Sequence, residues 1–414
     1  MNQLSLVIER TDEALKQIRD AGISPSHTKE LERRFNATEL GPMVGRSSTY
    51  ATRALAKIVE EGGCPPFKDE TRFKYEMSHV KALRDAFDTN PYRDEEIDEP
   101  VVMAVQNFKG GVGKTTVSLN VAQYLALKGY RVLFMDLDSQ ASATEIFGYL
   151  PDVDLDDADT LIPFFDGEED TLDYCIRKTY WPGLDLVPTN LSTFSMEWGL
   201  AKELLSDPTP EDREYWTTRL KYAIDSAATN YDVVIIDSPP SLGVTSMNIL
   251  RAVNAVLIPV PAKMLDFAST SKYLHMLQKA ANSFPDGAVD LKFVSLATTL
   301  YEGRDNASKE VRAISDEPVS PNTQMQFRML MEEIFGDEGM LIAPTFKKAA
   351  EVENAASSYA TVLEEKRPQK AALEMIENFC AYIELQILRC WPSKAKAALQ
   401  LEKSLGAKPE SKNG

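Results

Sequence analysis

Residues 101–116 read VVMAVQNFKGGVGKTT. The first eight are a largely apolar run of the kind that makes a buried strand. The last eight, Lys109, Gly110, Gly111, Val112, Gly113, Lys114, Thr115 and Thr116, set glycines between two lysines and close on two hydroxyls. Glycine lets successive backbone N–H groups turn inward on an anion, and a helix opening at the hydroxyls adds positive partial charge at its N-terminus. Lys114 can then reach the terminal phosphates of a nucleotide, and Thr115 can offer its hydroxyl to Mg²⁺. An ordinary glycine-rich turn is the bland alternative, and the strand-to-helix placement leaves it little room.

Working outward, two further apolar runs end on carboxylates. RVLFMDLDSQASAT closes a strand at Asp136 and sets Asp138 and Gln140 just beyond it, and YDVVIIDSPPSLG closes another at Asp237. Alone, each would be an ordinary polar residue at a strand end; together, after the glycine loop, they mark a metal-assisted phosphate site, with Asp237 placed to hold Mg²⁺ through water. Strand-like and helix-like runs go on alternating: a helix from Thr115, another from Asp212 to Ala228, AVLIPV, a helix from Asp266, and LKFVSLATT. The alternation predicts an α/β fold, a mostly parallel sheet flanked by helices.

Upstream, residues 4–18 place Leu4, Val7, Ile8, Leu15 and Ile18 at helical spacing. This amphipathic helix must cover its stripe on its own chain or on a second copy. From Arg33 to Phe87 basic side chains are frequent. ATELGPMV, Gly45 and SSTYATRALAKIVEEGG read there as helix, turn and helix, the second opened by Ser47 or Ser48. A basic strand-like RFKY and another helix follow, similar to a winged helix of MerR type. The expected division is an N-terminal helix over 1–30, a winged helix-turn-helix over 31–87, a proline-bracketed acidic linker over 88–100, the nucleotide domain over 101–390 and a polar tail over 391–414. Residues 152–173 carry ten acids and no Lys or Arg, which reads as a solvated excursion. The helix expected over Gln369–Leu388 carries one apolar stripe to dock on the sheet.

Composition narrows the classes. With 45 Lys+Arg against 63 Asp+Glu the formal charge is −18, so DNA contact must come from local basic patches. Four scattered cysteines without C-x-x-C spacing give neither a zinc cage nor a disulfide framework, and no apolar run reaches membrane-span length. The expected place is the cytoplasm, with no membrane partner.

The first glycine of G-x-x-x-x-G-K-[ST] would fall at Phe108, so the usual pattern fails and K-G-G-x-G-K-T-T stands instead, headed by Lys109. That octet resembles the deviant Walker A loop of the ParA, MinD and nitrogenase-iron-protein class of P-loop NTPases. The resemblance implies that Lys109 crosses to the nucleotide of a partner in an ATP-dependent homodimer, acting there as an arginine finger does. Asp136-x-Asp138-x-Gln140 is similar to the switch segment of that class, which implies Asp136 near the metal and Asp138 holding or polarising the attacking water. Ser139 stands where many relatives have proline.

Cysteines in no cluster-binding motif and a short polar tail set aside the nitrogenase and MinD readings. A helix-turn-helix ahead of the ATPase, with IIDSPPSLG, LIPVPAKMLDFASTSKYLHML and LATTLYEGRDNASKEV, is similar to large ParA-type partition proteins, the RepA members of repABC operons in particular. The resemblance implies ATP and Mg²⁺ as cofactors, nucleoid association, salt-sensitive binding of DNA without regard to sequence, and hydrolysis stimulated by a ParB-type centromere-binding partner. It also implies basic DNA contacts late in the ATPase, where Lys347 and Lys348 stand. Ser47, Ser48, Tyr50 and Arg53 on the recognition helix, with Lys68, Arg72 and Lys74 on the wing, are the candidates for operator contact and autorepression. The competing reading is a repressor whose nucleotide only sets its dimer state.

Overall fold

The computed structural model describes residues 3–22, 29–67, 72–241, 243–285, 287–302, 328, 331, 333 and 341–406. Its centre is an eight-stranded sheet of β1 (Val101–Val105), β2 (Val132–Asp136), β3 (Arg177–Lys178), β4 (Leu184–Val187), β5 (Val233–Asp237), β6 (Ala255–Pro261), β7 (Phe293–Tyr301) and β8 (Leu341–Lys347). The order is β3-β4-β2-β5-β1-β6-β7-β8. Neighbours run parallel except β3, which turns back antiparallel on β4. Every residue of β1, β2, β5 and β6 is buried, as a sheet covered on both faces requires. One face packs on the helices Lys114–Lys128 and Lys370–Arg389, the other on Pro210–Ala228, Val244–Ala252 and Met264–Ala281.

Register places the chemistry. Asp136 of β2 lies beside Asp237 of β5, and Asp237 beside Val105 of β1, so both carboxylates and the loop after β1 share one carboxyl rim of the sheet. Open α/β sheets bind ligands at this rim.

The N-terminal helices stand close to their expected positions. The first runs Gln3–Gly22; Ala37–Met43 and Ser48–Glu60 form the paired helices, with Ser47 accepting the Tyr50 N–H at 3.3 Å as N-cap. A Cβ on Gly41 would lie 2.7 Å from the Ser48 backbone nitrogen, so glycine is what lets these helices meet. The RFKY wing is reduced: Tyr75 alone pairs, as a single antiparallel bridge with Phe35, before the helix Met77–Phe87 begins.

Apolar residues of this module, Leu40, Leu55, Val80 and Leu83 among them, belong to the same core as β1 and the helix Lys114–Lys128. Arg84 is buried at that seam, donating to the Met43 carbonyl at 3.1 Å and the Leu127 carbonyl at 2.9 Å, and burial lowers its pKa to about 10. Gly129, at φ +105, leaves room for it; a Cβ there would come within 2.7 Å of the Arg84 Nη1.

Three stretches differ from expectation. The 88–100 connection is strapped down: Arg93 donates to the carbonyls of Tyr231, Asp98 and Thr229 at 3.1, 2.8 and 3.0 Å, and Asp98 takes the Ser393 hydroxyl. One fork of arginine donors does what apolar anchors do elsewhere, so composition alone read as a linker. The acidic excursion buries Leu161, Phe164, Phe165 and Leu172, with Arg219 stacked 4.1 Å over the Phe164 ring. The tail opens on buried Trp391, whose Nε1 donates to the Glu99 carbonyl at 2.8 Å, and continues as the helix Ala395–Gly406.

Candidate functional site

The loop after β1 has the backbone its glycines permit. Gly111 and Gly113 take φ +71 and +92, and Gly113 caps the helix Lys114–Lys128 from the left-handed region. A Cβ built on Gly110, Gly111 or Gly113 meets no atom within 4 Å, so the loop faces open space. From behind it is fixed by residues outside the octet. The Asn107 amide donates to the Pro259 carbonyl at 2.8 Å and accepts the Lys109 N–H at 3.1 Å; the Thr299 hydroxyl donates to the Val112 carbonyl at 2.8 Å. Lys109 is half-buried at the head of the loop. Lys114 is buried, its Nζ 3.4 Å from the Lys109 carbonyl; burial lowers its pKa, and Asp237 and Asp138 only partly offset this.

Asp136 is held from two sides. Its Oδ2 accepts the Thr144 N–H at 2.9 Å and the Thr144 hydroxyl at 2.8 Å, and its Oδ1 accepts the Asp138 N–H at 3.2 Å. Burial nevertheless pushes its pKa up to about 7. Both oxygens of Asp237 are buried with no hydrogen bond of standard geometry. The Thr115 hydroxyl is near enough to favour the Asp237 charge, but burial and then Asp136 dominate and raise its pKa well above the usual carboxylate range. Asp138 is half-buried and accepts the Gln140 N–H at 3.1 Å.

A buried carboxylate without donors, next to a hydroxyl and a lysine, is a donor set that suits a hard divalent cation. Among the described residues no group of three or more His, Cys, Asp or Glu is placed to hold a metal ion.

The raised pKa values have a sign that can be checked. A carboxyl that holds its proton in the folded chain but not in the unfolded one stabilises the fold at low pH. The Asp136 contribution should therefore be lost as pH rises from about 4 to about 7, with Asp237, also raised, adding to the fall in the same direction. Asp136→Asn should flatten that slope in denaturant titrations taken across the range.

The candidate DNA contacts lie on other elements. On the helix Ser48–Glu60, Ser47 serves as its cap, Ser48 is half-buried, and Arg53 is exposed. Tyr50 is exposed and stacks on Phe87 with ring centroids 5.4 Å apart. Arg72 lies 4.9 Å over the Phe73 ring and Lys74 4.6 Å over the Phe67 ring; Lys68 falls outside the described residues. Lys347 ends β8, its N–H on the Met375 sulfur, and the exposed Lys348 sits between Glu302 and Glu353 at 3.2 and 3.5 Å.

Comparison with known proteins now applies. Residues 101–286 match a family model described as an AAA domain. Protein SopA of Escherichia coli (strain K12) is 35% identical over 272 residues, 64% of this chain and 66% of its own length. A putative replication protein A of Rhizobium rhizogenes is 30% identical over 356 residues, covering 81% of this chain and 86% of that protein. The chain belongs to the ParA-type partition ATPases. The solved structure of a "Partition Protein" superposes with a TM-score of 0.62 at 19% identity, over 94% of this chain and 98% of that one, and shows a common fold.

For a ParA-type ATPase the loop, Lys114 and the carboxylates are thus gathered on one rim, and the basic candidates are not part of that cluster. Asn107 and Thr144 are the additions, and Thr299 takes a place behind the loop. Each is a lone polar residue whose partner is distant in sequence, so only Thr144, close behind the Asp136 segment, lay within reach of a spacing argument. Among the described residues no helix is long and apolar enough to cross a membrane.

Proposed function

We propose that this chain is a Mg²⁺-dependent ATPase that pairs with a second copy on ATP and segregates DNA, with hydrolysis stimulated by a ParB-type partner. The supporting observation is the buried carboxylate of Asp237, with no hydrogen bond of standard geometry, beside Thr115 and Lys114 at the foot of an open glycine cradle. In this reading the N–H groups of residues 110–116 and the Lys114 ammonium bind the phosphates, and Thr115 and Asp237 hold the metal, with Asp136 behind. When bound, Mg²⁺ neutralises charge on the phosphate oxygens. Asp138 orients the water from the rim, and Lys109 serves the nucleotide of the partner copy.

A surface for that copy adjoins the site. Leu191, Phe194, Trp198 and Leu205 are 58%, 55%, 68% and 84% exposed at helical spacing along 191–205. Three large exposed apolar side chains on the helix Phe194–Leu205, with Leu191 in the 3-10 turn just before it, are unusual for a monomer. The stripe starts beside the nucleotide rim, where the Thr189 N–H donates to the Thr144 hydroxyl at 3.2 Å. On another side of the same helix, Glu197 accepts the N–H groups of Val244 and Thr245 behind the Asp237 loop. Sedimentation with ADP, ATP or a non-hydrolysable analogue tests pairing. ATP should give a dimer, and Trp198→Ser should weaken it about tenfold or more while ATP binding by the monomer persists. A dimer insensitive both to nucleotide and to Trp198→Ser would remove this reading.

The exposed Arg53 and the capped helix Ser48–Glu60 support a second role, operator binding and autorepression. Deleting residues 1–100 is a poor test, because it would strip one side of the shared core. Arg53→Ala is the sharper one: operator binding should fall while ATP-dependent binding of random DNA remains.

A further inference from the structure

Lys29 lies ahead of the paired helices and outside the matched region 101–286, yet its half-buried side chain packs against the nucleotide domain. It donates to the Ile146 carbonyl at 2.5 Å and the Tyr359 carbonyl at 2.6 Å, pairs with Glu364 at 3.5 Å and sits 4.7 Å over the Tyr180 ring. Glu364 in turn accepts from Gln123 of the helix Lys114–Lys128 at 3.0 Å and from the Tyr180 hydroxyl at 2.7 Å.

Ile146 ends the five-residue helix Ser142–Ile146, which follows Asp138 and Gln140. A helix this short has no stability of its own, so its ends set its position. At its start, Ala141 is held at φ +54, costly for a residue with a Cβ, and donates to the Asp138 carbonyl at 2.7 Å. In its middle, Thr144 grips Asp136. At its end, Phe147 packs on Phe134 and Tyr180, and Lys29 bonds the last carbonyl, where positive charge favours a helix C-terminus.

We infer that Lys29 is a positioning residue for ATP hydrolysis: by clamping the end of the helix Ser142–Ile146, it holds Thr144, and through it Asp136 and the adjoining Asp138 turn, in the geometry hydrolysis needs. The inference rests on the ATPase reading above. It makes the segment before the DNA-binding module part of the hydrolytic device.

Lys29→Met removes the clamp but leaves the Glu364 carboxylate buried, so the full-length chain is also made as Lys29→Met/Glu364→Gln, which removes both charges. Two measurements are taken: steady-state hydrolysis with ATP affinity, and amide hydrogen exchange over residues 141–147 without nucleotide. The double variant should lose about tenfold in kcat with ATP affinity within about twofold, as misplaced catalytic groups do. Its 141–147 amides should exchange about tenfold faster, and Lys29→Arg should restore both. Wild-type kcat or unchanged exchange in the double variant overturns the inference, as does an equal loss of affinity and kcat. A wild-type chain that does not hydrolyse ATP would sink the ATPase reading instead, and the exchange arm would still test the clamp.

Discussion

Lys114→Ala should leave a folded protein that no longer binds nucleotide at working concentrations. The ammonium is buried at the head of its helix, facing Asp237 and Asp138, in a place where a phosphate oxygen gains a charge-assisted bond with little competition from water. Two such contacts at roughly 2 kcal/mol each make about three orders of magnitude in Kd. The fold should tolerate the loss, because the loop is fixed from behind by Asn107 and Thr299 and by its own backbone rather than by the ammonium. Titration calorimetry with ATP and Mg²⁺ measures the effect, and a thermal melt confirms that the chain is intact. Affinity within a few-fold of wild type would mean that the glycine cradle does not face phosphates.

Asp138→Ala should separate binding from turnover. Asp138 is half-buried at the rim: its N–H donates to Asp136, its carbonyl accepts the Ala141 N–H, and its carboxylate accepts the Gln140 N–H. Its removal breaks no hydrogen bond to the glycine loop or to Asp237 and leaves Lys114 in place, so ATP affinity should stay within about threefold. A group that orients or polarises the attacking water contributes about 10²–10⁴ in rate, and kcat should fall by that order. An ATP-loaded dimer should then accumulate. Normal turnover would move the hydrolytic role elsewhere.

The sheet and its rim were readable because they rest on patterns short enough to sit within single stretches of chain. Apolar runs ending at Asp136 and Asp237 became β2 and β5 with those carboxylates in register, and the octet from Lys109 opened its helix one residue before Thr115. What escaped was everything built from one polar residue and a distant partner: Asn107 on the Pro259 carbonyl, Thr299 on Val112, Arg93 on the segment before β5. Hydrophobic periodicity carries no trace of such bonds. The excursion over 152–173 misled for a related reason, since its acids outnumber the few aromatic and aliphatic side chains that fix it to the domain.

The continuity of the core across the Arg84 seam carries a geometric consequence. A reading head on a flexible tether can swivel to suit many target spacings, whereas one fused to its motor cannot. Under the proposed pairing, the separation of the two Ser48–Glu60 helices would be dictated by how the nucleotide domains face each other, which would make the assembly a ruler whose length follows the bound nucleotide.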